Sequence, residues 1–308
     1  MKRLKPLLTL SIAALCVTGC SFISISDIRD NQSSEQSEQS NNSTSPENGD
    51  NNGQIDEEIP AWDEAGNGEG EVLTGYYDGI DTRLRGDALL GSLRTLNLKK
   101  RTKTISYGSL NENFKYTDYD INSVQYQGST PYSNKIISFY SGNVTSSFNK
   151  EHVWPNSHGG NLVENDIHMV RPTISSENGS RGNSFYVEGK KDPKYGWDPA
   201  MESFGEEPYR GDSVRIIFYC MCVSDKLSLV ESEYHESTNA NRDNMMGKLS
   251  DLIKWNETYP VDAREKRRNE GAQYLQGNRN PFIDHPELAC KIWGNKNSAT
   301  RKLCGGKY

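Results

Sequence analysis

The stretch from residue 21 to 72 has almost nothing to place in a hydrophobic core, and this decides where the chain can fold. It is built mainly from Ser, Asn, Gln, Glu, Asp and Gly, with 13 acidic residues against the single Arg29. So little apolar surface cannot offset the entropy lost on ordering, and the segment reads as a flexible acidic linker. Folding is therefore expected in residues 73–308. The linker also dominates the net charge of −7 and the low mean hydropathy of −0.80. Residues 73–308 alone hold 31 Lys+Arg and 29 Asp+Glu, a balance that leaves a polyanionic substrate open.

Residues 1–20 read as a targeting segment. Lys2, Arg3 and Lys5 precede the apolar run from Leu7 to Val17, which is too short for a folded membrane anchor. The run ends in Val17-Thr18-Gly19-Cys20, which resembles the lipobox of bacterial lipoproteins. That resemblance implies a lipid on Cys20 and a membrane-held protein. An ordinary secretory peptide cut near Gly19 is the alternative, and either route exports the chain as a cell-envelope or secreted protein. No later apolar stretch is long enough for a transmembrane helix.

Export puts the remaining cysteines, Cys220, Cys222, Cys290 and Cys304, in an oxidising compartment. Cys220 and Cys222 are too close in sequence to pair comfortably, so each is expected to cross to the C-terminal pair. Free buried thiols are the alternative. A zinc site lacks the usual two-residue spacer in either half.

From residue 73 the pattern is a mixed α+β one. Leu89, Leu93 and Leu96 make a helical stripe after Asp87 as cap; Val214, Ile217, Phe218 and Met221 make a second after Asp212. A third stripe, Met245, Leu249, Leu252 and Ile253, ends at Trp255, and Pro260 suits the first turn of a fourth helix. Residues 135–140 and 143–148 read as strands joined at Ser141-Gly142.

The chemistry gathers between residues 149 and 183. Glu151-His152-Val153-Trp154-Pro155 sets a carboxylate beside an imidazole at the end of a strand-like run. Asp166-Ile167-His168-Met169-Val170-Arg171-Pro172 follows, and then Arg181-Gly182-Asn183. With Arg210-Gly211-Asp212-Ser213-Val214-Arg215 and the run from Gln276 to Asp284, these blocks resemble the bacterial endonuclease I family of extracellular nucleases. The resemblance spans about residues 75–295. It implies a His-Me finger (ββα-metal) domain surrounded by helices, hydrolysing DNA, RNA or both with little sequence preference and leaving 5′-phosphate ends. It also implies His152 as general base and Glu151 and Asn183 as ligands of Mg²⁺, with Ca²⁺ or Mn²⁺ as substitutes, in a protein taken to be a monomer. Some relatives carry a phosphate-clamping arginine soon after the histidine motif. Residues 153–170 contain none, so Arg171 and Arg181 both stand as candidates.

The residue chemistry agrees. Phosphodiester hydrolysis needs a proton acceptor for water and relief of phosphate charge. An imidazole suits the first need, and carboxylate and amide oxygens around a hard cation suit the second. In a regular strand Glu151 and His152 point to opposite faces, so the strand must bend or the site must lie at its end. His168 fits either an orienting role or a core hydrogen bond, and His158, His235 and His285 read as structural or surface residues. Arg264, Lys266, Arg267, Arg268 and Arg279, near Tyr274, are candidate phosphate contacts or else a solvated basic helix face. The rival function is an inactive nucleic-acid-binding or adhesion lipoprotein, suggested by Arg-Gly-Asp triplets at 85–87 and 210–212. Nucleotide-loop, serine-hydrolase and zinc-protease motifs are absent.

Overall fold

The computed structural model describes residues 69–305, apart from 193, 207 and 234–242. The leader with Cys20, the linker up to residue 68 and His235 lie outside the described residues. Just before residue 73 the chain is already tied in. The Thr82 amide donates to the Glu71 carbonyl at 2.8 Å and Val72 bridges Asp81.

Helix α1 (Gly86–Lys100) buries Leu89, Leu90 and Leu93. Arg85 is its N-cap residue, so Asp87 sits in the first turn, where a negative charge favours the helix dipole, and does not cap. The one-turn α2 (Leu110–Asn113) leads to the hairpin β1 (Gln125–Gln127) and β2 (Thr130–Tyr132). Strands β3 (Ile136–Ile137) and β4 (Val144–Thr145) pair antiparallel about the expected turn. Gly142 there has φ +65°, and a Cβ would meet the Tyr209 hydroxyl, two reasons for glycine.

Strand β5 (Asn149–His152) pairs antiparallel with β6 (Val170–Thr173), and α3 (Ser175–Arg181) follows directly and packs on β5. This ββα unit carries the polar motifs. Helix α4 (Pro208–Met221) is buried from Tyr209 to Met221, and its Asp212 lies inside the helix instead of capping it. Short parallel strands β7 (Ser228–Leu229) and β8 (Met245–Met246) precede α5 (Leu249–Thr258), which packs on α4. Met245 of the third stripe thus belongs to a strand. Helix α6 (Ala263–Gln276) begins later than Pro260 suggests, because Asp262 and Glu265 form a reciprocal capping box. Then α7 (Pro281–Asp284), α8 (Leu288–Trp293) and α9 (Ser298–Cys304) close the described fold.

The expected cysteine pairing is corrected. Cys290 on α8 bonds Cys304 on the adjacent α9, with Cα atoms 5.6 Å apart, while Cys220 and Cys222 are buried free thiols around the end of α4. Burial pushes both thiols up, so they stay protonated and inert.

Most of the remaining motif residues are internal struts. Asp166 accepts from the Tyr219 hydroxyl at 2.7 Å, the His168 amide at 2.9 Å and Gln276 Nε2 at 2.8 Å. Asn278 donates to Asn97 at 2.5 Å and to Tyr219 at 2.6 Å. Arg210 grips Asp198 through two bonds, and Arg215 grips Glu265 likewise. Among the described residues, Asp212, Asp262 and Glu265 bring carboxylates close enough to suggest a cation site. Arg264 and Arg215 already neutralise that cluster, and the capping box uses the rest.

Candidate active site

Strand β5 ends at His152, so Glu151 and His152 occupy the strand terminus and not its middle. Their faces still alternate: Glu151 is buried and His152 half-buried. The Glu151 carboxylate accepts from the Tyr140 hydroxyl at 2.8 Å, and Tyr140 is itself 2.7 Å from the Tyr186 hydroxyl. Arg181 stands 3.6 Å from the same carboxylate. Burial pushes the Glu151 pKa up despite that guanidinium and the tyrosine hydroxyl. The carboxylate is thus held in place by Tyr140, with Arg181 beside it.

The His152 ring lies nearly parallel to Tyr107, with centroids 5.4 Å apart, and Lys150 Nζ sits 3.9 Å over the other ring of that pair. Burial first, and Arg181 second, push its pKa down to about 4. The imidazole is neutral at pH 7. The Lys150 backbone hydrogen-bonds the ring, while Nε2 has no hydrogen-bond partner among the described residues.

Asn183 follows α3, two residues after Arg181, with an exposed side chain. Its backbone is anchored by a residue that the sequence reading left aside. His158 is buried, with Nε2 at 3.0 Å from the Asn183 carbonyl oxygen and Nδ1 at 3.0 Å from the Asp243 carboxylate. Trp154 supports that loop by donating from Nε1 to the His158 carbonyl at 2.6 Å. Tyr140, Tyr186, Tyr107, His158 and Asp243 had no sequence signal of their own. His158, four residues past Trp154, was the nearest to a legible one.

Both arginine candidates for a phosphate clamp are buried and hydrogen-bonded within the protein. Arg171 is buried on β6, donates to Asp118 at 2.7 Å and lies 4.0 Å over the Phe139 ring. Arg181 is equally buried and donates to the carbonyls of His152 at 3.1 Å and Val153 at 2.8 Å, bracing the strand end. His168 resolves to the core reading: Nε2–H donates to the Asn278 carbonyl at 3.1 Å and the ring packs on Tyr219. Of the basic C-terminal set, Arg264, Arg268 and Arg279 are paired with Asp212, Asp118 and Asp284, which leaves Lys266 and Arg267 for other partners. The adhesion triplets also close, since Arg85, Arg210 and Asp212 are buried.

The endonuclease I family matches residues 93–287, more than half of the chain. An extracellular ribonuclease of Bacillus subtilis (strain 168) is 32% identical over 243 residues, 71% of this chain and 78% of that protein. An extracellular ribonuclease of Bacillus amyloliquefaciens is 38% identical over 167 residues, 49% of this chain; the chain spans only 56% of that relative. An extracellular deoxyribonuclease of Aeromonas hydrophila is 28% identical over 133 residues, 40% of this chain and 50% of the relative. The match takes in the whole ββα unit with Glu151, His152 and Asn183, and on this ground the chain belongs to the endonuclease I family.

Proposed function

We propose that this chain, a hydrolytic nuclease by family, is exported and cleaves phosphodiester bonds of RNA, DNA or both at a His-Me finger formed by β5, β6 and α3. The observation that carries the reading is the buried Nε2 of neutral His152, which has no hydrogen-bond partner among the described residues, next in the chain to the buried Glu151 carboxylate. Hard oxygen donors from Glu151 and the Asn183 amide suit Mg²⁺, with Mn²⁺ or Ca²⁺ as substitutes. When bound, the cation relieves charge on the phosphate and on the departing oxygen. His152 takes the proton of the attacking water at Nε2. Tyr107 fixes the imidazole plane, Arg181 braces the strand end and His158 holds the backbone of Asn183. The relatives named as extracellular nucleases support export, and the leader agrees. Within that reading the protein is a monomer held at a membrane by lipid on Cys20.

Cleavage of plasmid and of RNA with and without EDTA tests the activity and its metal requirement. His152→Ala should lower single-turnover cleavage by roughly 10² to 10⁴, with no recovery at high Mg²⁺. Asn183→Ala should recover in part, because added metal offsets weakened ligation but cannot replace a proton acceptor. Near wild-type cleavage by His152→Ala, or metal rescue of that variant instead of Asn183→Ala, would reverse the roles.

A further inference from the structure

A cleft of about 360 Å³ opens between the β1–β2 hairpin, the turn at Tyr116 and helix α6. Its walls are aromatic and unusually open: Tyr126 is 67% exposed and Tyr274 50%. Tyr116 lies at the base, with ring centroids 5.5 Å from Tyr274 and 5.9 Å from Tyr132. Tyr126 on the hairpin and Tyr274 on α6 add little to the core at that exposure, so their place on one cleft needs another reason.

Charge narrows the choice of occupant. Among the described residues Glu270 is the only acid lining the cleft, and Arg279 pairs with it at 3.0 Å. Arg267 also lines the cleft, and Lys115 stands 5.1 Å over the Tyr116 ring; neither has a carboxylate within ion-pair distance among the described residues. The cleft therefore presents π faces beside the cationic Arg267, with Lys115 over the Tyr116 ring. We propose that it is a base-stacking subsite for single-stranded nucleic acid, with Tyr126 and Tyr274 taking unpaired bases and Arg267 and Lys115 the backbone phosphates. Bases in a duplex are already stacked and paired, and their faces cannot reach these rings. Chain continuity links the subsite to the candidate active site. The segment from residue 107 to 132 begins at Tyr107, against His152, and Phe114 packs on Phe148 just ahead of β5.

The inference rests on the nuclease reading of the site, and the test separates the two. In the full chain carrying His152→Ala, with EDTA present, the Kd of a labelled twelve-base single strand is measured by fluorescence anisotropy. The same sequence closed into a hairpin is measured alongside. Tyr126→Ala and Tyr274→Ala, both at exposed positions, should each raise the single-strand Kd about tenfold. Tyr126→Phe, which keeps the π face, should stay within about twofold of the parent. Unchanged single-strand binding in both alanine variants overturns the subsite. So does an equal loss on the hairpin, an equal loss in Tyr126→Phe, or binding of a neutral oligosaccharide in place of the strand. Failure of the nuclease reading appears separately, as substrate left intact by the wild-type protein in Mg²⁺.

Discussion

At the scale of single residues, the candidate site depends on groups that touch no substrate. His158 joins Asp243 to the Asn183 backbone, so Asp243→Asn should loosen Asn183 without removing it. Outer partners of this kind are typically worth 10- to 100-fold in metal affinity. The Mg²⁺ midpoint of single-turnover cleavage should rise by about that factor, while a purely structural role would lower Tm and leave the midpoint in place. His168 makes a prediction about pH. Burial holds its folded pKa at about 4 against 6.5 for the free side chain. Between those values the unfolded chain binds a proton that the folded one refuses, so its contribution is complete above pH 6.5 and is lost as pH falls towards 4. The effect is on the order of 3 kcal/mol. Urea midpoints between pH 4 and 7 should fall less steeply in His168→Gln than in the wild type; an equal slope would locate the acid sensitivity elsewhere. Sequence could propose Glu151 and His152 from adjacency, but it could not separate Arg171 and His168 from the site. A buried strut and a functional group use the same side chains, and only the partner, Asp118 or the Asn278 carbonyl, tells them apart.

Among the elements, helix α6 shows packing overruling propensity. Gly271 sits within it, and a Cβ there would lie 2.0 Å from the Tyr116 carbonyl oxygen. Helix propensity alone credits Gly→Ala with about 1 kcal/mol of stability. The clash is with backbone and must displace the helix, so Gly271→Ala should instead destabilise by roughly 1–3 kcal/mol. Thermal unfolding checks the sign, and a raised Tm would refute the close approach. Helical stripes were legible wherever one face is apolar, as in α1 and α5. They placed the ends poorly, because Asp87 and Asp212 look like caps and are not, while the cap that matters for α6 is the Asp262–Glu265 pair. The β3–β4 pair and the end of β5 were legible from their apolar and β-branched runs, while β1, β2, β7 and β8, two or three residues each, have too little period to read.

Taken whole, the molecule joins a composition that only sequence could interpret to a fold that only contacts could explain. The linker and leader carry the prediction at this scale: Cys20→Ser should shift the protein from the membrane fraction to the soluble one. Retention unchanged by the substitution would remove the lipid anchor. The blocks that carry the family resemblance proved to be largely framework, with Asp166, Gln276, Asn278 and Arg215 locking distant segments together. The cysteine expectation failed because an even count does not oblige every thiol to pair; Cys220 in the last turn of α4 and Cys222 just past its end are buried and free. In the unfolded chain all four thiols are open to pairing; in the packed protein Cys290 is bound to Cys304 while Cys220 and Cys222 are buried. Burial shields the two thiols, and any agent that oxidises them must first catch the protein open.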